Sequence, residues 1–296
     1  MTEISQTTHG PWREHRLTVR DGLRLAVRHY PARGSTRRPA LCLPGLTRNA
    51  RDFDALARHL SATGPAARDV FTLDARGRGG SDHDSDPANY NLLTEMHDVI
   101  DMMIAHGLAG SDLIGTSRGG LVTMLLAAAQ PSFLAAAVLN DIGPVLERAG
   151  LERIAGYVGK AAPPTTWSEA AAAVRRIDGA FFPGLTDGAW EAIARQRFND
   201  AGGRPVASYD PRLATTISIP DGPLPQLWPQ FGALAHVPVQ IIRGENSDLL
   251  SAETVEEMRR RHPRTQAITV PRQGHAPLLD DAPTMDAIAR FLAAAD

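Results

Sequence analysis

The sequence predicts a doubly wound α/β fold, with a mostly parallel eight-stranded sheet and one inserted helical segment. Three observations carry this reading. Short apolar runs alternate with helix-favouring segments along most of the 296 residues, the chain opens on an antiparallel hairpin signal, and the alternation lapses only between residues 145 and 231. Parallel neighbours need a crossover connection, and a helix between successive strands supplies it.

Taken in order, residues 16–20 and 23–30 alternate apolar and polar positions on either side of Asp21-Gly22, a dipeptide suited to a two-residue hairpin turn. The runs 40–43, 70–73, 113–115, 136–139, 237–242 and 267–270 are short and almost wholly apolar, as strands covered on both faces are. They bring the count to eight. Leu92, Leu93, Met96, Ile100 and Met103 recur at intervals of one, three and four and make one apolar helix face, while residues 121–129 and 287–295 also favour helix. From Val145 to about Phe231 helical segments and turn residues follow one another without a convincing strand. Thr166 and Glu169 fit a capping box ahead of an alanine-rich helix, and Trp190, Ile193, Ala194 and Phe198 form the apolar face of another. The expected organisation is a core of residues 1–144 and 232–296 with a helical cap formed by residues 145–231.

Composition narrows the function classes. Hydrophobic residues make up 43% and charged residues 22%, the balance of a packed globular protein. The formal net charge is −2 and the basic residues are dispersed, so nothing gathers the cations that a run of phosphates requires, and nucleic acid is not an expected partner. The first sixteen residues are polar and no run approaches the ~18 uninterrupted apolar residues of a membrane span, so a cytoplasmic protein is expected, monomeric or homodimeric. Cys42 is the only cysteine, which excludes an intrachain disulfide and a cysteine metal cluster, and its apolar neighbours place it in a core strand.

The chemistry concentrates at a few loops. Gly115-Thr116-Ser117-Arg118-Gly119 follows an apolar strand and precedes a helical run, the context in which a sharp turn lifts a serine nucleophile clear of the sheet. Leu43-Pro44-Gly45-Leu46-Thr47 follows an earlier strand and can turn a backbone N–H of Leu46 toward a developing oxyanion, with the N–H of Arg118 as second donor. Asp248 lies in the loop after the strand at 237–242, and His275, in Gly274-His275-Ala276-Pro277, in the loop after the last strand. A serine hydroxyl needs a base to take its proton, and the imidazole needs a carboxylate to fix its tautomer, so Ser117, His275 and Asp248 read as nucleophile, base and acid. The other nine histidines show no metal-ligand spacing, and no metal is expected.

These motifs, together with Asp74-Ala75-Arg76-Gly77-Arg78-Gly79-Gly80-Ser81, resemble those of the α/β-hydrolase superfamily over nearly the whole chain outside the insertion. Asp74 to Ser81 matches the superfamily's turn after the fourth strand and is expected to be architectural. The resemblance implies an α/β-hydrolase fold and a cap over the site. It also raises Asp141, 24 residues after Ser117 and at the end of the next strand, as an alternative acid; Glu245 is expected to bind loop backbone. The implied activity is hydrolysis of carboxylic esters or lactones of small to medium apolar substrates through an acyl-enzyme on Ser117, without a cofactor. Carbon–carbon bond hydrolysis or perhydrolysis is the alternative on the same fold, and a ligand receptor that retains the site is a third reading. Dehalogenase and epoxide hydrolase are disfavoured, since the resembling families carry aspartate where Ser117 stands. Trp167, Phe181, Phe182, Trp190 and Trp228 in the insertion are expected to line the substrate pocket.

Overall fold

The computed structural model describes residues 4–296 apart from Thr63 and Ala161. Its main sheet has nine strands: β1 (Ile4–His9), β2 (Trp12–Thr18), β3 (Arg24–Tyr30), β4 (Ala40–Leu43), β5 (Val70–Asp74), β6 (Ser111–Thr116), β7 (Leu134–Asn140), β10 (Val239–Gly244) and β11 (Thr265–Val270), numbered with a separate hairpin, β8 (Phe198–Ala201) and β9 (Arg204–Ala207). The order is β1-β2-β3-β5-β4-β6-β7-β10-β11. The three pairings from β1 to β5 are antiparallel and the five from β5 to β11 are parallel. All eight expected strands are present, and β1 is added at the edge. Asp21-Gly22 turns the chain between β2 and β3, with the Asp21 carboxylate accepting the N–H of Leu23.

The continuous apolar runs are explained by burial on both faces. In β4, Leu41 and Leu43 pack with α2 (Leu92–His106) and α3 (Arg118–Ala129), while Ala40 and Cys42 face the opposite way, toward α1 (Asp54–Ala62) and α9 (Ala282–Ala295). Alternate residues of one strand therefore serve two cores. The Cys42 thiol is fully buried, which pushes its pKa up.

Between β7 and β10 the chain leaves the sheet and forms α4 (Arg148–Tyr157), α5 (Trp167–Asp178), α6 (Asp187–Arg197), the β8–β9 hairpin and α7 (Trp228–Gly232). Thr166 caps α5 by accepting the N–H of Glu169, and the Glu169 carboxylate accepts the N–H and hydroxyl of Thr165. The hairpin corrects the expectation that this segment lacks strands. Its burial does not alternate, so period-2 patterning is missing, but Gly202-Gly203, both at positive φ, is a two-residue turn signal standing in the sequence.

At the antiparallel edge, His15 donates from Nδ1 to His106 Nε2 at 3.0 Å, because His106 Nδ1 is committed to the carbonyl of Met102. His15 Nε2 is buried without a partner among the described residues, so a proton there meets no acceptor among them. Burial, then the charges of His106, His29 and Arg13, push the His15 pKa down from 6.5 to about 4. Between those values the unfolded chain binds more protons than the folded one, so stability contributed by neutral His15 is lost as pH falls from about 6.5 to about 4. Thermal unfolding at a series of pH values is expected to show a shallower acid decline in His15→Gln than in the wild type. Equal declines would remove His15 from the acid response.

Candidate active site

The sheet places the site at the carboxyl ends of its parallel strands. Ser117 sits between β6 and α3 at φ 51° and ψ −116°, a conformation that L residues rarely adopt. Its flanking glycines are fixed by close approach: a Cβ on Gly115 would lie 2.5 Å from the Gly120 nitrogen, and one on Gly119 would lie 2.1 Å from the Leu43 carbonyl oxygen. Strand, turn and helix can therefore pack only if both positions lack side chains, and the serine is held up from the strand end. Its own N–H donates to the Asn140 carbonyl at the tip of β7.

His275, in the loop between β11 and α9, places Nε2 2.8 Å from Ser117 Oγ. Its Nδ1 donates to Asp141 Oδ2 at 2.9 Å. Asp141 is the first residue past β7, fully buried and itself at positive φ. The rest of its carboxylate is satisfied by the Gly244 N–H at 2.7 Å and the Ser247 hydroxyl at 2.5 Å, both from β10 and its following loop. Asn140 braces the same junction, donating through Nδ2 to Thr116 Oγ1 and to the Pro277 carbonyl of the histidine loop.

The partner of His275 is thus Asp141, where Asp248 was the leading expectation. The physical reason is strand order. In β6-β7-β10-β11 the tip of β7 adjoins the tip of β6, so Asp141 emerges beside Ser117, whereas Asp248 lies four residues past β10 on a loop directed at α4. There it is taken by Arg153 in a bidentate pair of 2.6 and 2.8 Å. Burial works to raise the Asp248 pKa, but the Arg153 hydrogen bonds and charge outweigh it and hold the carboxyl below its usual range. Gly150 of α4 passes so close that a Cβ would lie 2.7 Å from the Asp248 carbonyl. Asp248 therefore fastens the inserted helices to the core. Glu245 accepts the backbone N–H of Arg272 at 2.7 Å.

Two backbone N–H groups belong to loops that meet at Ser117. The N–H of Arg118 opens α3 and so has no intrahelical acceptor. Leu46 follows Gly45, whose carbonyl accepts the Arg48 N–H, and in a trans peptide this turns the Leu46 N–H the opposite way. Arg78, in the turn that sequence assigns to architecture, fixes the next peptide by donating to the Leu46 carbonyl at 2.8 Å. Buried Glu95 joins the two sides, bonding Arg78 and Arg118 at 2.7 Å each. Burial works to raise the Glu95 pKa, but the two guanidiniums hold it below the usual carboxylate range.

A cavity of about 380 Å³ opens over Ser117 and His275. None of Trp167, Phe181, Phe182, Trp190 and Trp228 lines it, which corrects the expected pocket. Phe182 and Trp190 are buried with Ala170, Val174, Ile193 and Ala194 in a small core of the inserted lobe, with Trp167 and Phe181 packed against it, and Trp228 covers Phe231 on the main core. The lobe buries Phe182 and Trp190 in its own core. The apolar wall comes instead from Leu46, Ile154, Val174, Ile177 and Phe198, and Arg48, Tyr157, Asp178, Arg197 and Tyr209 add polar groups. Arg48 stands two residues past Leu46 and could have been noticed from that spacing; the rest converge only through tertiary packing. Among the described residues no cluster of histidine, cysteine, aspartate or glutamate could hold a metal ion, and no helix is long and apolar enough to cross a membrane.

The chain belongs to the alpha/beta hydrolase family, whose family model matches residues 40–289. It is 34% identical over 283 residues to the 3-hydroxybutyrate-oligomer hydrolase of Cupriavidus necator, covering 90% of this chain and 92% of that one. It is 29% identical over 266 residues to the sn-1-specific diacylglycerol lipase ABHD11 of Mus musculus, covering 88% and 83%. The solved structure of an alpha/beta hydrolase from Novosphingobium aromaticivorans superposes with a TM-score of 0.88 at 40% identity, covering 97% of this chain and 99% of that one. Relatives across most of the chain are hydrolases, and this protein is a hydrolase of that family.

Proposed function

We propose that the protein hydrolyses carboxylic esters through an acyl-enzyme on Ser117, with His275 as general base and Asp141 as the acid that orients it. The observation that carries this reading is the continuous chain of hydrogen bonds from Ser117 Oγ through both nitrogens of His275 to the buried Asp141 carboxylate. The relatives named for 3-hydroxybutyrate oligomers and for diacylglycerol support the choice of ester bonds.

Ser117 Oγ attacks the ester carbon as its proton passes to His275 Nε2, and the N–H groups of Leu46 and Arg118 receive the charge on the carbonyl oxygen. Collapse of the tetrahedral intermediate breaks the bond to the alkoxy oxygen, which takes the proton from Nε2. A water then attacks the acyl-enzyme, gives its proton to Nε2, and the acid departs as Ser117 recovers that proton. Asp141, held by Gly244 and Ser247, accepts from Nδ1 and so keeps the imidazole proton on that nitrogen, which leaves Nε2 free to accept.

A fluorophosphonate probe tests this reading. The intact protein is expected to gain one phosphonyl group, located on Ser117 by peptide mass analysis, and Ser117→Ala to gain none. A 4-nitrophenyl ester should release one equivalent of nitrophenol in a burst if deacylation is the slower step. Equal labelling of wild type and Ser117→Ala would overturn the assignment of the nucleophile.

A further inference from the structure

The cavity over Ser117 is not the apolar slot expected from sequence. Two guanidiniums line it, Arg48 from the loop that carries Leu46 and Arg197 from the end of α6. Each is paired directly with one acid, and the charge of Asp178 also acts on Arg48. Arg48 Nε lies 2.6 Å from Asp52 and Arg197 Nη1 donates to Asp178 at 2.5 Å. Those contacts leave donors over. The terminal nitrogens Nη1 and Nη2 of Arg48 and Nη2 of Arg197 make no hydrogen bond among the described residues, while Arg48 Nε, Arg197 Nε and Asp52 Oδ1 are buried without one and out of a ligand's reach. The Tyr157 hydroxyl makes none either, and the Tyr209 hydroxyl accepts the Gly159 N–H, which leaves its own proton to give.

Charge count alone is neutral, since Asp52 and Asp178 also line the cavity, so depth decides what the cavity selects. The carboxylates are the more buried members of their pairs: the Asp52 and Asp178 side chains are 12% and 6% exposed, those of Arg48 and Arg197 20% and 15%. Asp178 is further engaged by Arg153 at 3.7 Å. The acids are the less exposed members of their pairs and each is already engaged by a guanidinium, so what a ligand meets is an excess of unengaged N–H and O–H donors in an otherwise apolar cavity. Such a surface is under-satisfied until it receives acceptors, and a planar carboxylate matches the guanidinium fork. The volume leaves room for a short chain.

We propose that the substrate of this site is an ester bearing a second, free carboxylate, which Arg48 and Arg197 bind while Ser117 attacks the ester carbon. This rests on the ester-hydrolase reading and names its substrate class. Anion binding places the reacting ester by its far end, so the selectivity arises from a charge at a distance from the bond that breaks.

Two measurements test it. The first compares kcat/KM for monomethyl glutarate and methyl pentanoate, which differ by a carboxylate in place of a terminal methyl, followed by methanol release. The wild type is expected to favour the monoester of glutarate at least tenfold, and Arg48→Gln and Arg197→Gln each to cut that ratio about 10- to 100-fold, as loss of a hydrogen bond to a charged group does. Arg197→Lys should recover part of the ratio, and Asp52→Asn, which frees Arg48, should raise it. A merely structural role of the arginines would slow both esters alike and leave the ratio unchanged, which would overturn the proposal. The second measurement is calorimetric binding of the same two esters to Ser117→Ala, which needs no turnover. Tighter binding of monomethyl glutarate supports the carboxylate site even if the wild type hydrolyses neither ester, a result that would sink the hydrolase reading alone. Turnover of methyl pentanoate with no preference for the anion in either measurement would sink the carboxylate site alone.

Discussion

Asp141→Asn is expected to lower kcat on a simple 4-nitrophenyl ester by about 10³- to 10⁴-fold with the fold intact, while Asp248→Asn lowers it less than about tenfold. The contrast follows from hydrogen polarity. Asp141 accepts from three donors: the Gly244 N–H, the Ser247 hydroxyl and His275 Nδ1. An amide has one accepting oxygen, so with that oxygen retained by Gly244 its NH₂ group faces His275. Nδ1 must then be the unprotonated nitrogen and Nε2 the protonated one, which points a hydrogen at Ser117 Oγ and leaves no base for the hydroxyl proton. Asp248→Asn disturbs the pair with Arg153 and removes a charge that acts on His275 without bonding it, so the main effect should be seen as a lower melting temperature or a raised KM, since that pair holds the inserted helices to the core. Initial rates and thermal unfolding of both variants decide the matter. Should Asp248→Asn prove the more damaging to kcat in a folded protein, the hydrogen bond from His275 to Asp141 would not be the one catalysis uses.

The acid was hard to choose from sequence for a definite reason. Asp141 and Asp248 each follow an apolar strand and each lie between Ser117 and His275 in the chain, so chain order does not separate them. What separates them is that β7, not β10, neighbours β6, and that Arg153 from a distant helix claims Asp248. Ser117 and His275 were legible because their constraints are local: a nucleophile turn leaves glycines at fixed offsets where backbones meet, as Gly115 and Gly119 do. The core strands were legible because burial on both faces makes them continuously apolar, as at Ala40–Leu43. Edge strand β1 was not, since ISQTTH carries no such run. The pocket was the least legible part. Large aromatics mark burial but not which cavity they face, and here Phe182 and Trp190 fill the lobe's own core while the groups over Ser117 are drawn from loops and helix ends far apart in sequence.

Ser117→Ala is expected to abolish ester hydrolysis, with a loss of about 10⁴-fold or more in kcat, because the oxygen that forms the bond to the acyl carbon is gone. The substitution adds no new backbone strain, since alanine at φ 51° is disfavoured as serine is, so the variant should fold with a near wild-type melting temperature. His275→Ala should lose a comparable factor, and the double variant should be scarcely worse than either single one, because serine and histidine act as one unit through the 2.8 Å hydrogen bond. Ser117→Gly separates chemistry from strain. It is equally unable to attack, but glycine tolerates positive φ, so it should be more stable than Ser117→Ala by about 1 kcal/mol or more, a gain offset in part by the freedom glycine adds to the unfolded chain. Unfolding in urea and steady-state kinetics on the four variants supply every quantity needed. If Ser117→Gly is inactive and stabilised, the native serine holds a strained position that the fold tolerates for its reactivity. A Ser117→Ala variant that keeps a tenth of wild-type activity would remove Ser117 from the mechanism, and a double variant far worse than both singles would show that Ser117 and His275 act independently.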